Sequence, residues 1–294
     1  ENMMQPKALG GNIRLRGNII NVNSFKNALL DKNTAKALRI PPMTLYGNIG
    51  MNRGSVAGNL KAATSDGDIR LDGRWNSNAE SYDAKLITRS FPVNAFMPLL
   101  GVGTVSARVD VNGTGYDPFR KSTVINANGE IKSAVYQGVD YTNIAVAANL
   151  HDGNAHVSLN SANPDADLTL TAEGNLNGDT YVWTANVDGR HIDLYALKFV
   201  PEPSSIELSA QADATIGPGR NDIAAHLVLN DLYFARMNGT IGLTDVDAHL
   251  LGSDSLTSLA LTNRDLSANF SAPLPIDSLI TRFSRTSSLL QQQM

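Results

Sequence analysis

The run Val105-Ser106-Ala107-Arg108-Val109-Asp110-Val111 places an apolar side chain at every odd position and a polar one at every even position. A period of two marks a β-strand whose faces meet different surroundings, because successive side chains leave opposite sides of the pleat. The same beat continues at Ile206, Leu208, Ala210, Ala212, Ala214 and Ile216, at Ala155, Val157 and Leu159, and at Leu168, Leu170 and Ala172. Shorter versions occur at Ile144 and Val146 and at Leu227 and Leu229. Between these runs stand turn formers: Asp66-Gly67, Asp152-Gly153-Asn154, Asn177-Gly178-Asp179 and Asn238-Gly239. Dipeptides of this kind supply the positive φ that tight hairpins require. The pattern predicts an all-β chain of about 16 to 18 strands, most of them joined as a meander.

Composition agrees. The 294 residues include 24 Gly, and Asp outnumbers Glu by 22 to 6, which favours turns over helices. With 42% apolar residues the chain can fold rather than remain disordered. The net charge is −4 and basic residues never cluster, which argues against nucleic acid as a partner. Cysteine is absent, which rules out thiol nucleophiles, thiolate metal sites and disulfides. The opening Glu1-Asn2-Met3-Met4 has neither a basic n-region nor an apolar h-region, and it reads as the interior of a longer polypeptide. No apolar stretch reaches the ~18 residues of a membrane span.

Helical signals are few. One segment covers 24–39, with Ser24 as N-cap and Pro41-Pro42 beyond its end. Three shorter segments, at 91–100, 191–200 and 274–283, each follow a strand and place Asn or Asp ahead of apolar residues. They lie 100 and then 83 residues apart and mark an internal repeat. Trp75 and Trp183 occupy related positions in it. The repeat divides the chain into a strand and helix over 1–42 and modules over 43–100, 101–200 and 201–294, all within one continuous structural unit.

No catalytic constellation emerges. The histidines, His151, His156, His191, His226 and His249, are isolated in sequence. Gly101-Val-Gly103 and Gly113-Thr-Gly115 lack the third glycine and the strand–turn–helix setting of a dinucleotide site. The pairs Asp66/Asp68, Asp165/Asp167 and Asp245/Asp247 are spaced to share a strand face, yet read as solvated turn carboxylates. The expectation is a protein without enzymatic activity, cofactor or metal site.

What remains is the apolar face itself. Roughly 45 helical residues cannot cover some 17 strands, so the face must be closed by sheet packing or left for a ligand. One continuous sheet of that size would extend roughly 80 Å. The candidate lining is Val105, Ala107, Val109, Val111, Ile144, Val146, Ala155, Val157, Leu159, Leu168, Leu170, Ile206, Leu208, Ala210, Ile216, Leu227 and Leu229.

Two stretches carry a family resemblance: 91–100 followed by 103–118, and 191–200 followed by 206–222. In each, a strand leads through Pro or His and a short Asn- or Asp-capped helix to a strand. That strand ends in Gly113-Thr-Gly-Tyr-Asp117 in one copy and in Gly217-Pro-Gly-Arg-Asn221 in the other. This unit resembles the AsmA-like/TamB superfamily of bacterial envelope proteins over most of 40–294. The resemblance implies an elongated, curved antiparallel sheet forming a U-shaped β groove. It further implies an internal segment of a bridge-like carrier that moves phospholipid between inner and outer membranes and is linked to outer-membrane protein assembly. Its partners would be phospholipid, other segments of the same chain, and an outer-membrane barrel protein engaged through a region outside this segment. The location implied is the periplasm, with an inner-membrane anchor also outside this segment. The alternative is a structural or adhesive β-solenoid or tandem sandwich that binds no lipid.

Overall fold

The computed structural model describes residues 10–19, 38–219, 221–279 and 281. Among them sixteen strands form: β1 (Gly10–Ile19), β2 (Met43–Asn52), β3 (Ser55–Ala63), β4 (Asp68–Asn76), β5 (Ser81–Pro92), β6 (Val102–Thr114), β7 (Val124–Tyr136), β8 (Val139–His151), β9 (Asn154–Asn163), β10 (Ala166–Asn175), β11 (Tyr181–Asp193), β12 (Ser204–Ile216), β13 (Ile223–Arg236), β14 (Gly239–Gly252), β15 (Thr257–Thr262) and β16 (Ser267–Ala272). They hydrogen-bond in strict sequence order into one antiparallel sheet that does not close. The all-β reading and the strand count are those the alternation predicts.

Tight hairpins explain the meander. Asp152-Gly153, with φ of 49° and 71°, joins β8 to β9, and Gln137-Gly138, with φ of 50° and 74°, joins β7 to β8. Two successive positive φ values match the right-handed twist of the flanking strands. Asp-Gly is a familiar sequence for such a turn, whereas Gln-Gly is not, so the second turn is found only in the structure.

Compactness divides the chain into two units. The first holds Glu1–Asp152 with Leu159–Pro164 and Ala196–Lys198; the second holds Gly153–Ser158, Asp165–Tyr195 and Phe199–Met294. In both units each strand packs chiefly against its sequence neighbours.

The helices are smaller than the sequence suggests. At 91–100 only Val93–Phe96 is α-helical (α1), followed by a 3-10 turn over Pro98–Leu100. Pro98 has no N–H to continue the ladder, so the helix stops there. At 191–200 there is no helix. His191 to Asp193 stay in β11, and the segment then turns, with the Phe199 amide donating to Leu194 O at 2.8 Å and Lys198 at φ 62°. Pro201 and Pro203 follow at once and forbid a longer helical ladder. At 274–283 the described helical residues are 276–279 and 281. The helix expected over 24–39 falls almost wholly outside the described residues.

Internal repetition shows instead in the bulges. A register shift at Thr88/Phe91 recurs at Gly189/Ile192, and one at Ser106/Ala107 recurs at Ser209/Ala210. Asn143, at φ 55°, has its counterpart in Asp245 at φ 54°. Bulges bend a strand and sharpen its twist, so their recurrence repeats the local curvature of β5 to β8 in β11 to β14.

Candidate functional site

Cross-strand register turns the local alternation into continuous surfaces, because residues paired across an antiparallel ladder share a face. In the first unit one row runs Leu15, Gly47, Leu60, Leu71, Leu86, Val109, Gly129, Val146 from β1 to β8. The next rows carry Ile13, Ile49, Gly58, Gly73, Ala84, Val111, Ala127, Ala148 and Gly17, Leu45, Ala62, Ile69, Thr88, Ala107, Ile131, Ile144. None of these rows holds a charge. The alternate rows hold almost all the polarity: Arg14, Asn48, Asn59, Asp72, Lys85, Asp110, Asn128 align on the other face.

The second unit repeats this. Ala172, Ala185, Ala212, Leu227, Ala248, Leu261, Ala268 cross seven strands, beside Leu170, Val187, Ala210, Leu229, Val246. Past the bulge the apolar side continues through Leu168, Gly189, Leu208, Leu232, Leu243 and then Ile192, Ile206, Phe234, Ile241. Ile216 closes the set opposite Tyr181 and Ile223.

The candidate lining residues are therefore brought together in two groups. Ala107, Val109, Val111, Ile144 and Val146 share the apolar side of the first unit, with Val105 beyond the shift opposite Phe91 and Ala134. Leu168, Leu170, Ile206, Leu208, Ala210, Ile216, Leu227 and Leu229 share that of the second. Ala155, Val157 and Leu159 lie on the less exposed face of β9. The sequence reading named no lining residue in β2 to β4 or β14 to β16, where glycines and polar residues interrupt the alternation. Their pairing rows supply Ile49, Leu60, Leu71, Val246, Leu250 and Leu259.

This face has little cover among the described residues. Leu71 is 42% exposed, Leu227 40%, Leu259 39% and Val146 36%. Such values are what sheet neighbours alone provide, whereas residues beneath a packed layer approach zero. Only scattered positions, among them Ala62, Leu150 and Val246, are buried. Two large aromatics lie close over neighbouring backbone, while Phe96 of α1 covers Phe91 locally, their rings stacked with centroids 4.8 Å apart. A Cβ added to Gly174 would meet the Trp183 ring at 2.5 Å, and one added to Gly113 would meet the Tyr82 hydroxyl at 2.6 Å. Each aromatic thus covers the backbone of a neighbouring strand.

A hollow interrupts the wall of the first unit. Gly58 and Gly73 sit side by side on β3 and β4, and with Ile49, Leu60, Leu71, Trp75, Tyr82 and Ala84 they outline a depression of about 320 Å³. Partial burial there pushes the Tyr82 hydroxyl pKa up, with Tyr116 adding to the effect.

The polar face carries paired charges. Arg70 holds Asp72 at 2.8 Å, Arg108 holds Asp110 at 2.6 Å, and Arg190 grips Asp167 through two nitrogens. Hydrogen bonding to Arg108 and to Arg190 holds the Asp110 and Asp167 carboxyls below the usual carboxylate range. In two of the Asp pairs one member has a basic partner: Asp167 pairs with Arg190, and Asp247 with histidine. The histidines are not all isolated either. His226 and His249 are direct cross-strand partners, a proximity that 23 residues of sequence separation concealed.

Comparison of the chain with family models, with curated proteins and with solved structures returned no match.

Proposed function

We propose that this chain is a non-catalytic carrier of phospholipid acyl chains. It would form a segment of a periplasm-spanning bridge-like lipid transfer protein of AsmA-like/TamB type. The observation that carries the reading is the set of charge-free rows on one face of each unit, with Leu71, Leu227, Leu259 and Val146 left 36–42% exposed and most of their aliphatic neighbours half-buried. Contiguous exposed apolar surface is costly in water and marks a site meant for an apolar occupant. Acyl chains match it because they need no hydrogen-bond partners and make no demand on side-chain identity. The headgroups would stay toward solvent. Under this reading, a role in outer-membrane protein assembly through a barrel partner would be a property of the bridge as a whole. No helix among the described residues is long and apolar enough to cross a membrane.

The test is face-selective labelling. Photo-crosslinking residues at Val109, Leu159, Leu170 or Leu208 should capture phospholipid detectable by mass spectrometry, while Arg108 or Thr169 should not. Equal labelling from both faces would sink the reading. Leu170→Asp should lower lipid recovery severalfold while costing about 1 kcal/mol of stability. Loss of folding would instead point to a packed core, where an unpaired charge costs several kcal/mol.

A further inference from the structure

The polar face of the second unit holds a donor set that the lipid reading does not use. His226 on β13 and His249 on β14 pair across the ladder, and their imidazoles stack with centroids 4.2 Å apart and planes 2° from parallel. Both Nε2 atoms turn toward the same carboxylate. Asp247 Oδ2 lies 3.0 Å from His226 Nε2, and Asp247 Oδ1 lies 2.8 Å from His249 Nε2. One nitrogen from each ring and one carboxylate oxygen all lie within 4.8 Å of one another.

We propose that His226, His249 and Asp247 form a binding site for a borderline divalent cation such as Zn2+, with water completing the coordination. Zinc takes imidazole nitrogen and carboxylate oxygen at about 2.0–2.2 Å, so tetrahedral ligand atoms stand about 3.3 Å apart. The two N···O separations are near that, each nitrogen facing a different oxygen of Asp247. Closure on one ion requires the stacked rings to turn so that both lone pairs converge, and the exposure of His249 and Asp247 leaves room for that rotation. A second feature matches the surroundings of a metal-bound histidine. The other nitrogen of His226, Nδ1, faces Asp213 Oδ1 at 3.4 Å. Asp213 is the cross-strand partner of His226 on β12. A metal-bound histidine typically donates its second N–H to a carboxylate, which fixes the tautomer and orients the ring. Asp213, His226 and His249 thus form one row over three strands, with Asp247 two residues along β14 from His249 on the same face. Two imidazoles and one carboxylate exclude preference for Mg2+ or Ca2+, which seek all-oxygen sets. A bound cation would tie β13 to β14. The site is independent of the apolar face, on the opposite side of the same strands.

The experiment is calorimetric titration of the chain with ZnCl2, with MgCl2 as control, after treatment with EDTA. One Zn2+ per chain is expected, with no Mg2+ binding. Affinity should fall at least tenfold in His249→Asn and in Asp247→Asn. In Asp213→Asn it should fall on the order of tenfold by loss of orientation. His156→Asn, which alters a histidine paired only to Glu173, should change nothing. Binding of Cu2+ to the unaltered chain gives a readout that needs no variant, because its electron paramagnetic resonance should show coupling to two nitrogens. Zinc affinity equal in wild type and His249→Asn, or a copper spectrum showing oxygen ligands alone, would overturn the site.

Discussion

Single side chains on this sheet are sorted by one criterion, which is whether they carry charge. Arg70, Asp72, Arg108, Asp110, Arg190 and Asp167 stand on or beside the polar face and pair with one another, leaving none to interrupt the aliphatic rows. The Arg190–Asp167 pair has a measurable signature. Hydrogen bonding to Arg190 depresses the Asp167 pKa in the folded state, so its contribution is present above the ordinary carboxylate value near 3.9. It is lost as pH falls through the depressed folded value. The melting temperature of Asp167→Asn should therefore lie below that of wild type from pH 7 to about 5, and the gap should close below about pH 4. A gap that widened on acidification would contradict the pairing. The effect will be small, because both groups are solvent-exposed and screened. At the same scale the sequence left its largest gap: His226 and His249 read as isolated, and nothing local to either strand shows that they meet.

At the scale of the element, glycine decides where the wall is thin. Gly58 and Gly73 are neighbours in one pairing row, yet their surroundings differ. A Cβ on Gly73 would find ordinary contacts, Asp83 O at 3.5 Å and Ala84 Cβ at 3.9 Å, whereas a Cβ on Gly58 would lie 2.4 Å from Asn48 O. Gly73→Val should therefore fill the hollow and leave stability unchanged or raise it by up to about 1 kcal/mol, since glycine weakens a strand. Gly58→Val should destabilise by about 1–3 kcal/mol through backbone displacement. Urea denaturation of the two variants checks the order, and the reverse order would refute this account of the hollow. If acyl chains occupy the hollow, Gly73→Val should also reduce lipid recovered with the protein. Elements were read unevenly from the sequence. Strands came through because a thirteen-residue run such as β6 repeats its signal many times. The segment at 191–200 did not, because a few apolar residues after an Asp fit a turn as well as a helix, and the prolines beyond decide between them.

For the molecule as a whole, strict sequence-order pairing has an energetic consequence. Each strand draws its hydrogen bonds and most of its apolar contacts from its two neighbours, as repeats do in a stacked array. Stability is then close to a sum of nearest-neighbour terms, and cooperativity weakens with length. Calorimetric unfolding should give a total enthalpy larger than the van't Hoff enthalpy, and amide exchange should rise toward the six-residue strands β15 and β16. A single two-state transition with uniform protection would contradict nearest-neighbour pairing as the source of stability. By itself, the sequence determined that the chain is all-β, where several of the hairpins turn, and which side chains share a face within the strands that alternate clearly. Those properties follow from the two-residue period of the extended backbone, which is local. Only the tertiary structure decided how the strands register, where the bulges fall, that Trp183 and Tyr82 lie over glycines, and that Asp213, His226, Asp247 and His249 converge. Register is set by hydrogen bonds between residues distant in sequence, and shifting it by one position would exchange the apolar face for the charged one.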